Sequence, residues 1–270
     1  MPATTFAQVI NGPTDNAGGN EAIGSLLVPT GYVANSGYVI GISGGGMGAH
    51  GTTGANNFGG SSGAQFTCTF EALLGTVTPG TSLVYYNIDR VGLFAGAIIG
   101  RTNDFAANYV YAANGGDGTT IAGAIGTAST DAISFTTNRS GNLGTKVGSG
   151  TTGGGGGGSP GGGGQGTASS GSTGGAGGTF SGLDTVTPNA DTGGAGGNGG
   201  TTGLNGGNAT SPGGGAGAAG SGAGHASGVP GAGRLVFIYQ TASGTAPAIT
   251  NIPGLNRSAM GMGLGLGISL

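Results

Sequence analysis

His50, His225, Cys68, Asp184 and Asp191 are the side chains of this sequence whose chemistry could go beyond packing. Both histidines lie inside glycine runs with no carboxylate nearby in sequence. An imidazole that activates a nucleophile needs such an acid to orient it. A metal centre needs clustered His, Cys or carboxylate ligands, and the single Cys68 excludes a disulfide framework and a multi-cysteine zinc site. Cys68 alternates within Phe66-Thr67-Cys68-Thr69-Phe70 and reads as a small buried strand residue. Asp184 and Asp191 stand seven residues apart. Across a loop they could together touch a calcium ion; the plainer reading is a pair of solvated loop carboxylates. Gly141-Asn142-Leu143-Gly144-Thr145-Lys146 lacks the G-x-x-x-x-G-K-[ST] spacing of a phosphate loop. No βαβ unit surrounds the glycines, so no dinucleotide fingerprint is present. The expectation is a protein that is not an enzyme, with no catalytic, cofactor-binding or metal-ligating residues.

The composition argues the same way. Of 270 residues, 72 are glycine, and only 6% are charged, against averages of roughly 7% and about 25%. The six Lys and Arg residues are scattered and the net charge is −3, so no basic stripe exists for a phosphate backbone and nucleic-acid binding is not expected. No apolar run approaches the length of a transmembrane helix, so no membrane insertion is expected. The opening Met1-Pro2-Ala3-Thr4-Thr5-Phe6 has neither a basic nor a long apolar region. It predicts no secretory signal, and release inside a virus particle is then one route to an exterior location.

The elements that would position any site are strands and glycine runs. Runs rich in β-branched and aromatic residues predict strands near 38–42, 64–70, 83–88, 132–136 and 234–239. No window carries a helical period. In the tract 150–233, glycines keep a register of three through Gly194, Gly197, Gly200, Gly203 and Gly206. That period suits a polyproline-II-type helix, whose glycine edge lets another backbone lie against it. The fold class expected is all-β: a jelly-roll-like sandwich carrying an inserted polyglycine-II helix bundle, with no significant α-helix. The expected organisation is an assembly arm over 1–24, a sandwich with a short glycine-rich insert over 25–149 and the glycine domain over 150–233. A closing strand over 234–239, in one sheet with 83–88, and a second assembly arm over 240–270 complete it.

Val39-Ile40-Gly41-Ile42-Ser43-Gly44-Gly45-Gly46, the stretch Thr76 to Tyr86 around Thr78-Pro79-Gly80-Thr81, and Gly231-Ala232-Gly233-Arg234-Leu235-Val236-Phe237-Ile238-Tyr239 together resemble glycine-rich modules of bacteriophage tail and virion-surface proteins. The long tract looks like the polyglycine-II sandwich of T-even-type tail-fibre adhesins. A similar plan occurs in the anaplastic lymphoma kinase ectodomain. The resemblance covers roughly residues 30–240. It implies a structural protein on the virion surface, as a fibre, spike or capsid or tail decoration, with host adhesion as an added role. Expected partners are further copies of itself, as a trimer, other virion proteins and a host-surface receptor. Adhesins of that type carry aromatic-rich loops, whereas the tract here holds one aromatic, Phe180. The receptor contact is accordingly expected in the least repetitive stretch, at Phe180, Leu183, Asp184 and Asn189. An ice-binding protein and a cellular extracellular fibre subunit are the alternative readings.

Overall fold

The computed structural model describes residues 3–13, 21–50, 57–90, 95–147, 152–222, 224–242 and 249–251. Among them the chain is nearly all-β, in two antiparallel sheets. The strands are β1 (Thr4–Asn11), β2 (Ala22–Leu27), β3 (Tyr38–Ile42), β4 (Gln65–Thr69), β5 (Leu83–Asp89), β6 (Gly96–Gly100), β7 (Tyr109–Ala113), β8 (Ala128–Thr130), β9 (Thr137–Arg139), β10 (Arg234–Thr241) and β11 (Ile249–Asn251). The first sheet runs β1-β10-β3-β4-β9 and the second β11-β2-β5-β6-β7-β8.

Period-two alternation explains why the sheets face each other. On β10, Leu235, Phe237 and Tyr239 point inward; on β5, Val84, Tyr86 and Ile88 do the same. These side chains join Val39, Phe66, Cys68, Leu26, Ile99 and Val110 in one core. The Tyr86 and Phe237 rings meet across it, 5.6 Å between centroids. The alternate residues of the first sheet, Ile40, Val236 and Ile238, form a second apolar layer on its outer face.

Four of the expected strands are present, β3 with the expected bounds and β4, β5 and β10 with bounds shifted by a residue or two. The fifth is not. Residues 132–136 lie between β8 and β9, where Ala132 takes a φ of 54°. That value interrupts an extended run, and pairing with β7 and β4 selects the flanking triplets instead. Strand 234–239 and strand 83–88 occupy opposite sheets rather than one. Residues 4–11, read as part of an assembly arm, pair residue for residue with β10 of the same chain. Phe6 stacks on Tyr239 with centroids 5.9 Å apart, so two inward apolar side chains, Phe6 and Ile10, are enough once a strand edge is waiting. Within the second arm, 240–241 complete β10 and 249–251 pair with β2; 243–248 and 252–270 lie outside the described residues. One short helix, α1 (Phe70–Leu74), follows β4 directly. The Thr69 hydroxyl accepts from the Ala72 N–H, and Gly75, with φ 75°, ends the helix.

The glycine-rich segments are not a tail. They leave the sheet strands and return to them, and their backbone groups bond between segments in a fixed rotation. Gly153, Gly156 and Ser159 donate to Gly200, Gly197 and Gly194, while Gly154 and Gly157 donate to Asn57 and Gly60. Gly155 and Gly158 donate to Gly171 and Thr167, all at 2.7–3.0 Å. Successive N–H groups thus reach three different neighbours, and the order repeats every third residue. The same rotation runs through 213–220, whereas in 193–200 the N–H groups alternate between two backbone neighbours, 172–178 and 212–218, and the Ala195 N–H donates to the Thr210 hydroxyl. These bonds give buried backbone groups the partners they require.

Glycine density tracks depth in this body. The run 153–158 is glycine at every position and is buried throughout. In 173–179 two of every three residues are glycine, and the third position, Thr173, Ala176 and Thr179, is exposed. At one margin the side chains of Asn205, Asn208 and Ser211 accept from the N–H groups of Ala226, Val229 and Ala232 at 2.8–3.0 Å. A side chain at every third position there replaces a missing neighbour.

Gly194, Gly197, Gly200 and Gly206 each face a backbone carbonyl so closely that an added Cβ would fall under 3.0 Å from it. Gly203 departs from the expected register: its φ is 73° and nothing lies within 4 Å of its Cβ position. It serves a turn between runs, where an open left-handed conformation is required, rather than a packed edge.

Burial pushes the Cys68 thiol and the Tyr239 phenol up to about 12. Tyr32 is also raised, first by burial and then by Glu71, and burial raises Tyr86 and Tyr111. The folded chain therefore holds protons that the unfolded chain releases from about pH 9 upward. This stabilisation is complete below that pH and is lost as pH rises toward about 12. The urea midpoint is expected to be lower at about pH 10.5 than at pH 8; equal midpoints would contradict the assignment.

Candidate functional site

The loop after Thr179 is built around two carboxylates. Asp184 is only 4% exposed and Asp191 only 1%, so neither is the solvated residue that composition suggests. Asp184 Oδ1 accepts from the N–H groups of Val186 and Thr187 at 2.8 and 2.7 Å. Asp191 Oδ2 accepts from the Ser181 N–H at 2.9 Å, and the Ser181 hydroxyl accepts from the Leu183 N–H at 3.1 Å. Asp184 thus makes an Asx-type turn and Asp191 ties the two ends of the loop together, while Asp184 Oδ2 and Asp191 Oδ1 are buried without a hydrogen-bond partner. Asn189 closes the far side with a φ of 68°, and its carbonyl accepts from the Thr192 N–H at 3.1 Å.

The loop lies against the outer face of the first sheet. Ala190 packs on Ile40, Val236 and Ile238. Arg234 fastens it: Nη1 donates to the Ala190 carbonyl and Nε to Asn11 Oδ1, both at 2.8 Å. Arg139 makes a second tie, its Nη1 donating to Gln65 Oε1 and to the carbonyls of Gly161 and Gly162 at 2.9–3.2 Å. These two cations join sheet and glycine body.

Between loop and sheet opens a groove of about 400 Å³. Leu183 and Thr185 form one wall, and Thr5, Tyr38, Ile238 and Gln240 form the floor. The opposite wall is 33–36, a segment fixed by many bonds. The Glu71 carboxylate accepts from the Tyr32 hydroxyl and the Asn35 N–H, both at 2.8 Å. The Ser36 hydroxyl donates to the Val33 carbonyl at 2.6 Å and accepts from the Gln240 N–H at 3.0 Å.

Of the residues expected to meet a receptor, only Leu183 lines this groove. Phe180 is 48% exposed on the surface nearby. Asp184 positions the loop, and Asn189 shapes its exit. Thr5, Asn35, Tyr38 and Gln240 escape a sequence reading because they come from distant segments that only strand pairing unites. His50 is exposed, and His225 is half-buried with its ring against Gly222. Among the described residues no three His, Cys, Asp or Glu side chains group as metal ligands, and no helix is long and apolar enough to cross a membrane.

The chain matches no known family model and no curated relative.

Proposed function

We propose that this chain is a non-enzymatic structural protein of the outer surface of a bacteriophage particle. In this reading the glycine runs are packed polyglycine-II helices and the two sheets form a jelly-roll-like sandwich that carries them. The observation that supports it best is the three-way hydrogen-bond rotation of the glycine runs, continuous with the sheets at both ends. Such a body presents loops on a stiff support, which suits a fibre, spike or decoration. Immunolabelling of phage particles with an antibody to this chain is the test: label on the particle exterior is expected, and unlabelled particles would sink the reading.

Adhesion is the added role, carried by the loop over 179–192. Phe180→Ala is expected to reduce host adsorption and leave the melting temperature nearly unchanged, because about half of the residue is open to solvent. A lower melting temperature with full adsorption would make Phe180 a structural cap instead.

Assembly as a homotrimer is part of the same proposal. Deleting 252–270 removes Met260-Gly261-Met262-Gly263 and the apolar residues after it while sparing every strand described above. The truncated chain is expected to sediment as a folded monomer. Unaltered sedimentation would deny that segment an assembly role.

The exposed row Thr173, Ala176 and Thr179 favours one second reading, an ice-binding face of small residues at regular spacing. Thermal hysteresis in the purified protein separates the two.

A further inference from the structure

The groove between the 179–192 loop and the outer face of the first sheet has a definite chemical character. No Lys, Arg, Asp or Glu lines it. The nearest carboxylates are turned into the protein: Glu71 Oε1 accepts from Tyr32 and Asn35 and Asp184 Oδ1 from its own loop, and their second oxygens, which have no hydrogen-bond partner, are closed to solvent. An anionic ligand would find no counter-charge, and a cationic one no lining carboxylate. A purely apolar ligand would leave the floor's amide and hydroxyl groups without water or partners.

What the lining does offer is a mixture at short range. Asn35 and Gln240 supply side-chain amides, each able to donate and accept, and the Gln240 amide also donates to the Thr5 hydroxyl over a long 3.4 Å. Thr5, Tyr38 and Thr185 supply hydroxyls. Among the described residues, the Asn35 amide and the Tyr38 hydroxyl form no side-chain hydrogen bond with the protein. Apolar surface from the Tyr38 ring, Ile238 and Leu183 lies beside these groups. Neutral donors and acceptors interleaved with ring and aliphatic surface match a molecule that is itself neutral, hydroxyl-rich on its edges and apolar on its ring faces. The volume falls within the range of small-ligand sites, roughly 300–1,000 Å³, and the bonds that fix 33–36 mean that the wall exists before a ligand arrives.

From this lining we infer that the groove is a binding site for a neutral saccharide, with the Tyr38 ring under a sugar face and the amides of Asn35 and Gln240 on its hydroxyls. This inference deepens the adhesion reading above and rests on it for its biological setting, but not for its chemistry.

The full-length chain is applied to an array of neutral bacterial glycans, and the best-bound one is then titrated by calorimetry. Binding is expected with a Kd on the order of 1 mM or tighter. Tyr38→Ala and Asn35→Gly are each expected to weaken it about tenfold or more. Asn35 has a φ of 61°, which glycine adopts freely, so the second variant keeps the wall intact if the first fails to fold. A blank array, binding only to peptides or acidic glycans spotted beside the neutral ones on the same array, or affinity unchanged in the folded variants would each overturn the inference. Surface-labelled particles with a blank array would refute the groove and leave the virion reading standing. A positive array with unlabelled particles would do the reverse.

Discussion

Gly156→Ala is expected to destabilise the protein by about 3 kcal/mol or more, at or beyond the upper end of ordinary overpacking. A Cβ on Gly156 would fall under 3.0 Å from the carbonyl of Gly215. The obstacle is backbone, which cannot rotate aside as a side chain does. It is also engaged: Gly156 donates to Gly197 at 2.8 Å, and Gly215 donates to Gly157 at 2.9 Å. Separating the runs therefore weakens several bonds together. The control is Gly203→Ala, an identical chemical change where nothing lies within 4 Å. Its cost is the left-handed strain alone, about 1–2 kcal/mol. Thr202→Val, on an exposed turn, is expected to stay within about 0.5 kcal/mol. Thermal melts of the three variants would order them Gly156, Gly203, Thr202. Equal small effects would mean that close approach of the runs is not what holds the body together.

Phe237→Ala carries the other large effect, about 3–5 kcal/mol. Phe237 is fully buried at the centre of the sandwich and meets Tyr86 from the opposite sheet. The cavity would be lined by strands on both sides that are held in ladders and cannot close over it. This substitution also tests cooperativity. Strand β3 passes straight into the glycine body, where Gly45 donates to Gly231 at 2.9 Å, and Ala64, just before β4, donates to the carbonyl of Ala113 at 3.2 Å. A core lesion and a glycine lesion should thus lower one shared transition. Two separate transitions, each moved by only one of the substitutions, would divide the chain into independent units.

The same contrast explains what could be read from the residues alone. β3, β4, β5 and β10 announce themselves because β-branched and aromatic side chains alternate over their whole length. Residues 132–136 have that composition and still fail, since Ala132 turns the chain and the paired neighbours lie far away in sequence. Partner choice is equally invisible: nothing local says that 234–239 faces 83–88 across the core rather than lying beside it. The glycine register was legible as a period of three, but Gly203 shows that a period can run through a turn without being used for packing. The candidate site was half legible. An irregular loop in a repetitive tract pointed to 179–191, and Leu183 does line a groove. The burial of Asp184 and Asp191 was hidden, because it comes from backbone N–H groups that any residue could supply. Tyr38, Asn35 and Gln240 were hidden because the site is made only when β1, β10 and β3 pair.

The depth dependence of glycine has a thermodynamic consequence. A run such as 153–158 buries peptide groups and almost no hydrocarbon. Exposing apolar area raises the heat capacity on unfolding, by about 0.45 cal/K/mol/Å², whereas exposing polar area lowers it, by about 0.26. The glycine body therefore adds enthalpy of hydrogen bonding with little or no heat-capacity increment, while the sandwich supplies the usual positive one. Summed over the chain, the increment per residue falls below that of an ordinary domain of this length, and the curve of stability against temperature is correspondingly flat. A protein built this way holds its shape over a wide span of temperatures and weakens little in the cold, where folds that depend on hydrocarbon burial lose their driving force.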